Sequence, residues 1–157
     1  MKLQRTFICI AGVFFAVGFT ASQAAAGGPN PGCTDALGNA MEIEVNALRA
    51  GAKTVAFGPN QSTNVTAKAR ILKGTAVSGT VIDTTLTIEA VDGTEVISSN
   101  STGPIRLGVG KGGKGAKLSL AVPQCRSGYI DFVATFLGTD AENDLCEGTR
   151  SLRKQCK

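Results

Sequence analysis

Apolar and polar residues alternate with a period of two along most of this chain. Met41, Ile43, Val45 and Ala47 alternate with Glu42, Glu44 and Asn46, and Val65, Ala67, Ala69 and Ile71 alternate with Thr66, Lys68 and Arg70. The same rhythm returns in Leu86, Ile88 and Ala90, in Leu118, Leu120 and Val122, and in Ile130, Phe132, Ala134 and Phe136. Successive side chains on a strand point to opposite faces, so each run predicts a strand with one buried face. Predicted strands are 41–49, 63–73, 81–91, 94–99, 104–109, 115–122, 128–137 and 148–155. The first is ambiguous, because MEIEVNALRAGAK also contains good helix formers; its clean alternation favours a strand. Turn residues punctuate the runs: Gly58-Pro59-Asn60 precedes the second, Gly74 follows it, and Asp92-Gly93 marks a tight hairpin. No long helical stripe and no internal repeat interrupts the pattern. Short strands at this density predict an all-β fold, an antiparallel two-sheet sandwich.

The first residues follow a different pattern. Lys2 and Arg5 precede an apolar run from Phe7 to Phe19, and small residues surround Ala24 and Ala26. This is the layout of a signal peptide, and the run is shorter than the roughly 20 residues of a membrane span. The predicted organisation is a signal peptide over 1–26, a linker over 27–40 and one β domain over 41–157. Cleavage removes two basic residues and no acid, leaving fourteen basic residues against twelve acidic ones, a net charge of +2. So even a balance argues against a dedicated nucleic-acid binder. Export to the periplasm or medium also fits the cysteines. Cys9 leaves with the signal, and Cys33, Cys125, Cys146 and Cys156 remain, an even number for an oxidising compartment. Their spacing contains no close pair of the zinc-binding kind, and four cysteines allow three disulfide pairings.

The segments STNVTAKARILKG, DTTLTIEAVDGTEV, AKLSLAVPQC and GYIDFVATFLG, in that order, resemble bacterial extracytoplasmic immunoglobulin-like or fibronectin-III-like domains, most closely the cell-adhesion-related type. The resemblance spans about residues 40–157 and implies an immunoglobulin-like sandwich. The Cys…Trp…Cys core of antibody domains is missing, since the chain has no Trp. In the topology that the resemblance implies, Cys33 and Cys146 fall at one end and Cys125 and Cys156 at the other. The implied disulfides are therefore Cys33–Cys146 and Cys125–Cys156.

Candidate chemistry is sparse. The chain has no His, which excludes Ser–His–Asp and Cys–His catalysis and any His-ligated metal. Residues 108–115, GVGKGGKG, start like a phosphate-binding loop, but Gly115 stands where the magnesium-binding hydroxyl belongs, and a strand rather than a helix follows. The stretch reads as a glycine turn between two antiparallel strands, with Lys111, Lys114 and Lys117 as a possible contact for an anionic partner. Asp140, Glu142 and Asp144 mimic the first three ligands of a calcium loop, but Leu145 replaces its turning Gly and Ser151 its bidentate Glu. Sequons at Asn60, Asn64 and Asn100 bear on a eukaryotic source only, and the composition leans bacterial.

These readings predict no enzyme activity, no cofactor, no metal, no nucleotide or nucleic-acid partner and no membrane contact after signal cleavage. The leading expectation is an exported, non-catalytic sandwich that binds a protein or polysaccharide surface, in adhesion or the envelope. A small secreted inhibitor or effector, and then a hydrolase using carboxylates, are the alternatives.

Overall fold

The structure is a computed structural model that describes residues 33–72, 75–110 and 112–157. The expected signal peptide (1–26), the first part of the expected linker (27–32) and Lys111 lie outside the described residues. The described chain is all-β. Its strands are β1 (Ile43–Ala50), β2 (Thr54–Val55), β3 (Ser62–Ile71), β4 (Val81–Asp92), β5 (Glu95–Gly108), β6 (Lys114–Ala121), β7 (Tyr129–Thr139) and β8 (Leu145–Cys156). They form two sheets, one ordered β1-β3-β6 and the other β2-β8-β7-β4-β5. The ambiguous first segment is a strand, antiparallel to β3.

The alternating residues build the core. Ile71, Leu86, Ile88, Leu120, Ile130, Phe132 and Phe136 are fully buried, and each lies on the face that the alternation marks as inward. The two sheets also meet along their rims. Arg150 of β8 donates from Nη1 to the carbonyl of Val45 on β1 at 3.1 Å. Asn100 of β5 donates from Nδ2 to the carbonyl of Ser119 on β6 at 3.0 Å. At the β1–β8 corner Gly148 is a steric necessity, because a Cβ there would lie 2.5 Å from the Ile43 carbonyl oxygen.

Five expectations need correction. The strands predicted at 94–99 and 104–109 are one strand, β5. Its register slips between Thr84↔Ile105 and Leu86↔Thr102, so Gly103 and Pro104 together oppose Thr85. A proline that has no N–H to give is tolerated in such a bulge on an edge strand. Second, β2 pairs parallel with β8, so the larger sheet is mixed rather than antiparallel. Third, residues 108–115 do not close a hairpin: β5 and β6 belong to different sheets, and the glycines carry the crossover.

Fourth, β1 changes phase. Glu44 pairs with Arg70 and Ala47 with Lys68, so Val45 and Asn46 both oppose Ala69. Past this bulge Leu48, 8 % exposed, takes the inward place that alternation gives to Ala47. Fifth, residues 33–40 are no linker. Cys33 is 1 % exposed and Asp35 3 %, and Thr34 bridges to Ala40.

Candidate functional site

The four cysteines form two bonds, Cys33–Cys146 with Cα atoms 5.1 Å apart and Cys125–Cys156 with Cα atoms 6.5 Å apart. The first lies where β7 ends, since Cys146 pairs with Gly138; the second lies where β7 begins, since Gln155 pairs with Tyr129. Such bonds are compatible with an oxidising, extracytoplasmic environment.

Each bond is flanked by an aspartate that gathers backbone N–H groups. Near Cys33–Cys146, Asp140 Oδ2 accepts from Thr34 N at 2.8 Å, and Oδ1 accepts from Glu142 N and Asp144 N at 3.1 and 2.8 Å. Asp35 holds the same end: Oδ2 accepts from Val77 N and Oδ1 from Leu37 N and Asn39 N, each at 2.9 Å. Near Cys125–Cys156, Asp92 accepts from Arg126 N at 2.7 Å and Ser127 N at 2.9 Å. Hydrogen bonds to a carboxylate favour its charged form. The Val77 N–H, with those of Asn39 and Leu37, lowers the pKa of Asp35 to about 2. The Arg126 N–H first, then Ser127, lowers that of Asp92, and the Thr34 N–H first lowers that of Asp140.

This bonding decides the acidic loop. Both oxygens of Asp140 face N–H donors and close a turn, with Asn143 at φ 67°. The grouping of Cys33, Asp140 and Cys146 has ligand atoms close enough for a metal, but both sulfurs are spent in one disulfide. The loop braces the end of the fold that holds the Cys33–Cys146 bond.

The outer face of the five-stranded sheet carries several hydroxyls, and four of them pair across strands. Thr87 and Ser101 lie 2.9 Å apart, and Thr135 and Thr149 lie 3.3 Å apart. Farther along, Arg153 forks onto Asp131 at 2.8 and 2.7 Å and covers the Tyr129 ring at 3.8 Å.

The other sheet presents a different surface. Register places Arg49, Thr66 and Lys117 in one row across β1, β3 and β6, and Ala47, Lys68 and Gly115 in the next. The inward residues of β3 are Val65, Ala67 and Ala69, so Thr66 and Lys68 point outward with their row partners. Within these paired rows Glu44 is the single acid, and it is bound to Arg70 at 2.7 Å. Arg49, Lys68 and Lys117 are exposed and enter none of the ion pairs among the described residues.

A groove of about 490 Å³ opens on this face, lined by Asn46, Ala47, Arg49, Thr66, Lys68 and the crossover residues Gly112 and Gly113. Asn46 is the extra residue of the β1 bulge. Its Oδ1 is the one buried side-chain N or O atom among the described residues with no hydrogen-bond partner. Gly113 stands over the Asn46 amide, and a Cβ there would fall 2.8 Å from Nδ2.

No family model, curated protein or solved structure matches the chain. Its chemistry is therefore read from these residues alone. Of the lysines proposed for an anionic partner, Lys117 shares the cationic face, Lys114 sits exposed at the start of β6, and Lys111 lies outside the described residues. Arg49, Lys68 and Asn46 were not foreseen. One signal was present: the adjacent apolar pair Ala47-Leu48 breaks the alternation where the bulge lies.

Proposed function

We propose that this chain is an exported, non-catalytic β-sandwich of immunoglobulin-like topology that works by binding at the cell envelope. The strand order is the observation that carries this reading: one sheet is ordered β1-β3-β6 and the other β2-β8-β7-β4-β5, and residues of both enter one core. This order is compatible with an immunoglobulin-like sandwich in which the short β2 is annexed to β8. The paired cysteines add support, because two disulfides fit an oxidising destination and brace both ends. The carboxylates best held in place, Asp35, Asp92 and Asp140, are engaged by backbone N–H groups, which suits bracing better than acid–base work. Binding then falls to the exposed faces and loop ends.

The test is expression of the full chain in a bacterial host. The product should leave the cytoplasm with a mass beginning at Ala25 or Gly27, with no thiol alkylated before reduction and four after. Retention in the cytoplasm at full length, with free thiols, refutes the reading. Turnover of a glycan substrate would favour the hydrolase instead.

A further inference from the structure

We infer that the groove between the β1 bulge and the Gly112–Gly113 crossover is a binding site for an acidic polysaccharide, one bearing carboxylate or phosphate groups among free hydroxyls. The inference rests on the reading of the chain as an exported binding domain. Three observations carry it.

The first is charge without a partner. Arg49 and Lys117 share a row with Thr66 between them, and Lys68 projects from the neighbouring row. Strands lie about 4.8 Å apart, so the two ends of that row are separated by about 10 Å at the backbone. Thus the cations are spread over the face rather than massed, and a chain with spaced charges suits them better than a dense polyanion. Arg supplies a planar fork for a carboxylate or phosphate, and Lys a mobile point charge.

The second is the unpaired acceptor. A buried polar atom without a partner costs free energy, and a donor supplied by a ligand removes that cost. Asn46 Oδ1 needs a hydrogen-bond donor, which a carboxylate or phosphate does not provide and a sugar hydroxyl does. Oδ1 is closed to solvent beneath Gly113, which carries no side chain, so a sugar hydroxyl reaches it once that backbone is displaced. The bulge places this amide there by turning one extra residue of β1 out of the regular alternation.

The third is the lack of stacking surface. The groove lining contains no aromatic ring. Single-stranded nucleic acids gain much of their affinity from base stacking on aromatic side chains. A hydroxylated, intermittently charged polymer needs no such platform.

The experiment is affinity electrophoresis of the exported, disulfide-bonded protein through gels containing polygalacturonate, a phosphorylated mannan, dextran or inorganic polyphosphate. Wild type should be retarded by one or both acidic glycans, which separates the carboxylate from the phosphate source, and should pass freely through dextran. R49Q/K68Q should bind the retarding glycan at least tenfold more weakly, and raised salt should act in the same direction. N46A should weaken glycan binding about fivefold while leaving any retardation by polyphosphate, which has no hydroxyl groups along its chain, unchanged. Unaltered melting temperatures for the variants exclude a folding defect.

Retardation by dextran equal to that by the acidic glycans overturns the proposal. So does undiminished glycan binding by R49Q/K68Q, or free passage of wild type through both acidic gels. N46A that binds glycan like wild type removes the hydroxyl contact and reduces the site to a cationic patch. The underlying reading falls on a separate result, failure of the chain to be exported and oxidised.

Discussion

Removal of the two disulfides one at a time should destabilise the protein unequally, in an order set by chain length and burial. Cys33–Cys146 closes a sequence separation of 113 residues and Cys125–Cys156 one of 31. Loop-closure entropy puts their ceilings at about 4.8 and about 3.7 kcal/mol. Burial adds to the difference: Cys33 and Cys146 are 1 % and 0 % exposed, whereas Cys125 and Cys156 are only half-buried. C33A/C146A therefore loses packed sulfur atoms as well as the longer cross-link. At about 4 °C per kcal/mol for a domain of this size, C125A/C156A should lower the melting temperature by up to about 15 °C, and C33A/C146A by more. Thermal unfolding followed by near-UV circular dichroism at neutral pH, on each double variant, measures both. Graded reduction with alkylation and peptide mapping provides a second readout, with Cys125 and Cys156 labelled first. Equal losses, a reversed order, or first labelling at Cys33 and Cys146 would refute the reasoning.

Acid should weaken the fold through its braced aspartates. Asp35 has a folded pKa of about 2 against an ordinary 3.8, so its contribution is fully present above about pH 4 and is lost as pH falls towards 2. Asp92 and Asp140 are lowered too and act in the same sense. Denaturant midpoints between pH 5 and pH 2 should fall in wild type and fall less steeply in D35N; parallel slopes contradict this. Millimolar calcium should leave the melting temperature unchanged, because Asp140 is occupied by Thr34, Glu142 and Asp144, and a rise of several degrees would show otherwise. Gly148→Ala should cost about 1–3 kcal/mol by urea unfolding, since its Cβ collides with Ile43 between the sheets. Gly112→Ala, where an added Cβ meets nothing within 4 Å, should stay within about 0.5 kcal/mol, and equal costs at the two glycines would sink the steric argument.

Alternation reports which side of a strand is buried, and it did so well here. The inward residues read for β3, β4, β6 and β7 are buried, and in β1 only Ala47 departs. What alternation does not report is which strands are neighbours. Strands β5 and β6 follow one another and both read clearly, so a glycine-rich link between them reads as a hairpin; their placement in separate sheets depends on partners far away in sequence. The sequence reads as a break between strands 94–99 and 104–109, with Pro104 opening the second; a proline inside one strand removes a ladder hydrogen bond, and the bulge on an outer strand makes it harmless. The two residues of β2 are too short for any periodicity, and Val55 is buried there only because β8 ends beside it. Residues 33–40 carry the Gly and Asn of a loop; the Asp35 carboxylate closes a local turn with Leu37 N and Asn39 N, but what packs that turn on the domain is the disulfide to Cys146 and the bond from Val77 N to Asp35, both far away in sequence.

The groove was hidden for a related reason. Lys68 sits at the outward position of a half-buried strand, where a charged residue is the ordinary choice and carries no signal alone, and Arg49 stands past the point where the alternation of β1 breaks. They become a pair only because the bulge slides β1 by one residue against β3, which restores Leu48 to the core and turns Arg49 outward. Unbroken alternation from Val45 would bury Ala47 and Arg49 and expose Leu48. The sequence at this point thus favours a slipped register over a regular one, since a buried arginine and an exposed leucine cost more than one disrupted ladder position. Arg150 offsets part of that disruption by bonding the Val45 carbonyl, while the Asn46 amide oxygen beside it stays without a partner. A bulge kept for packing alone would be served equally well by an apolar or small residue at 46. An amide there, beneath a glycine and beside two unpaired cations, is the arrangement in which local consistency gives way to a binding surface.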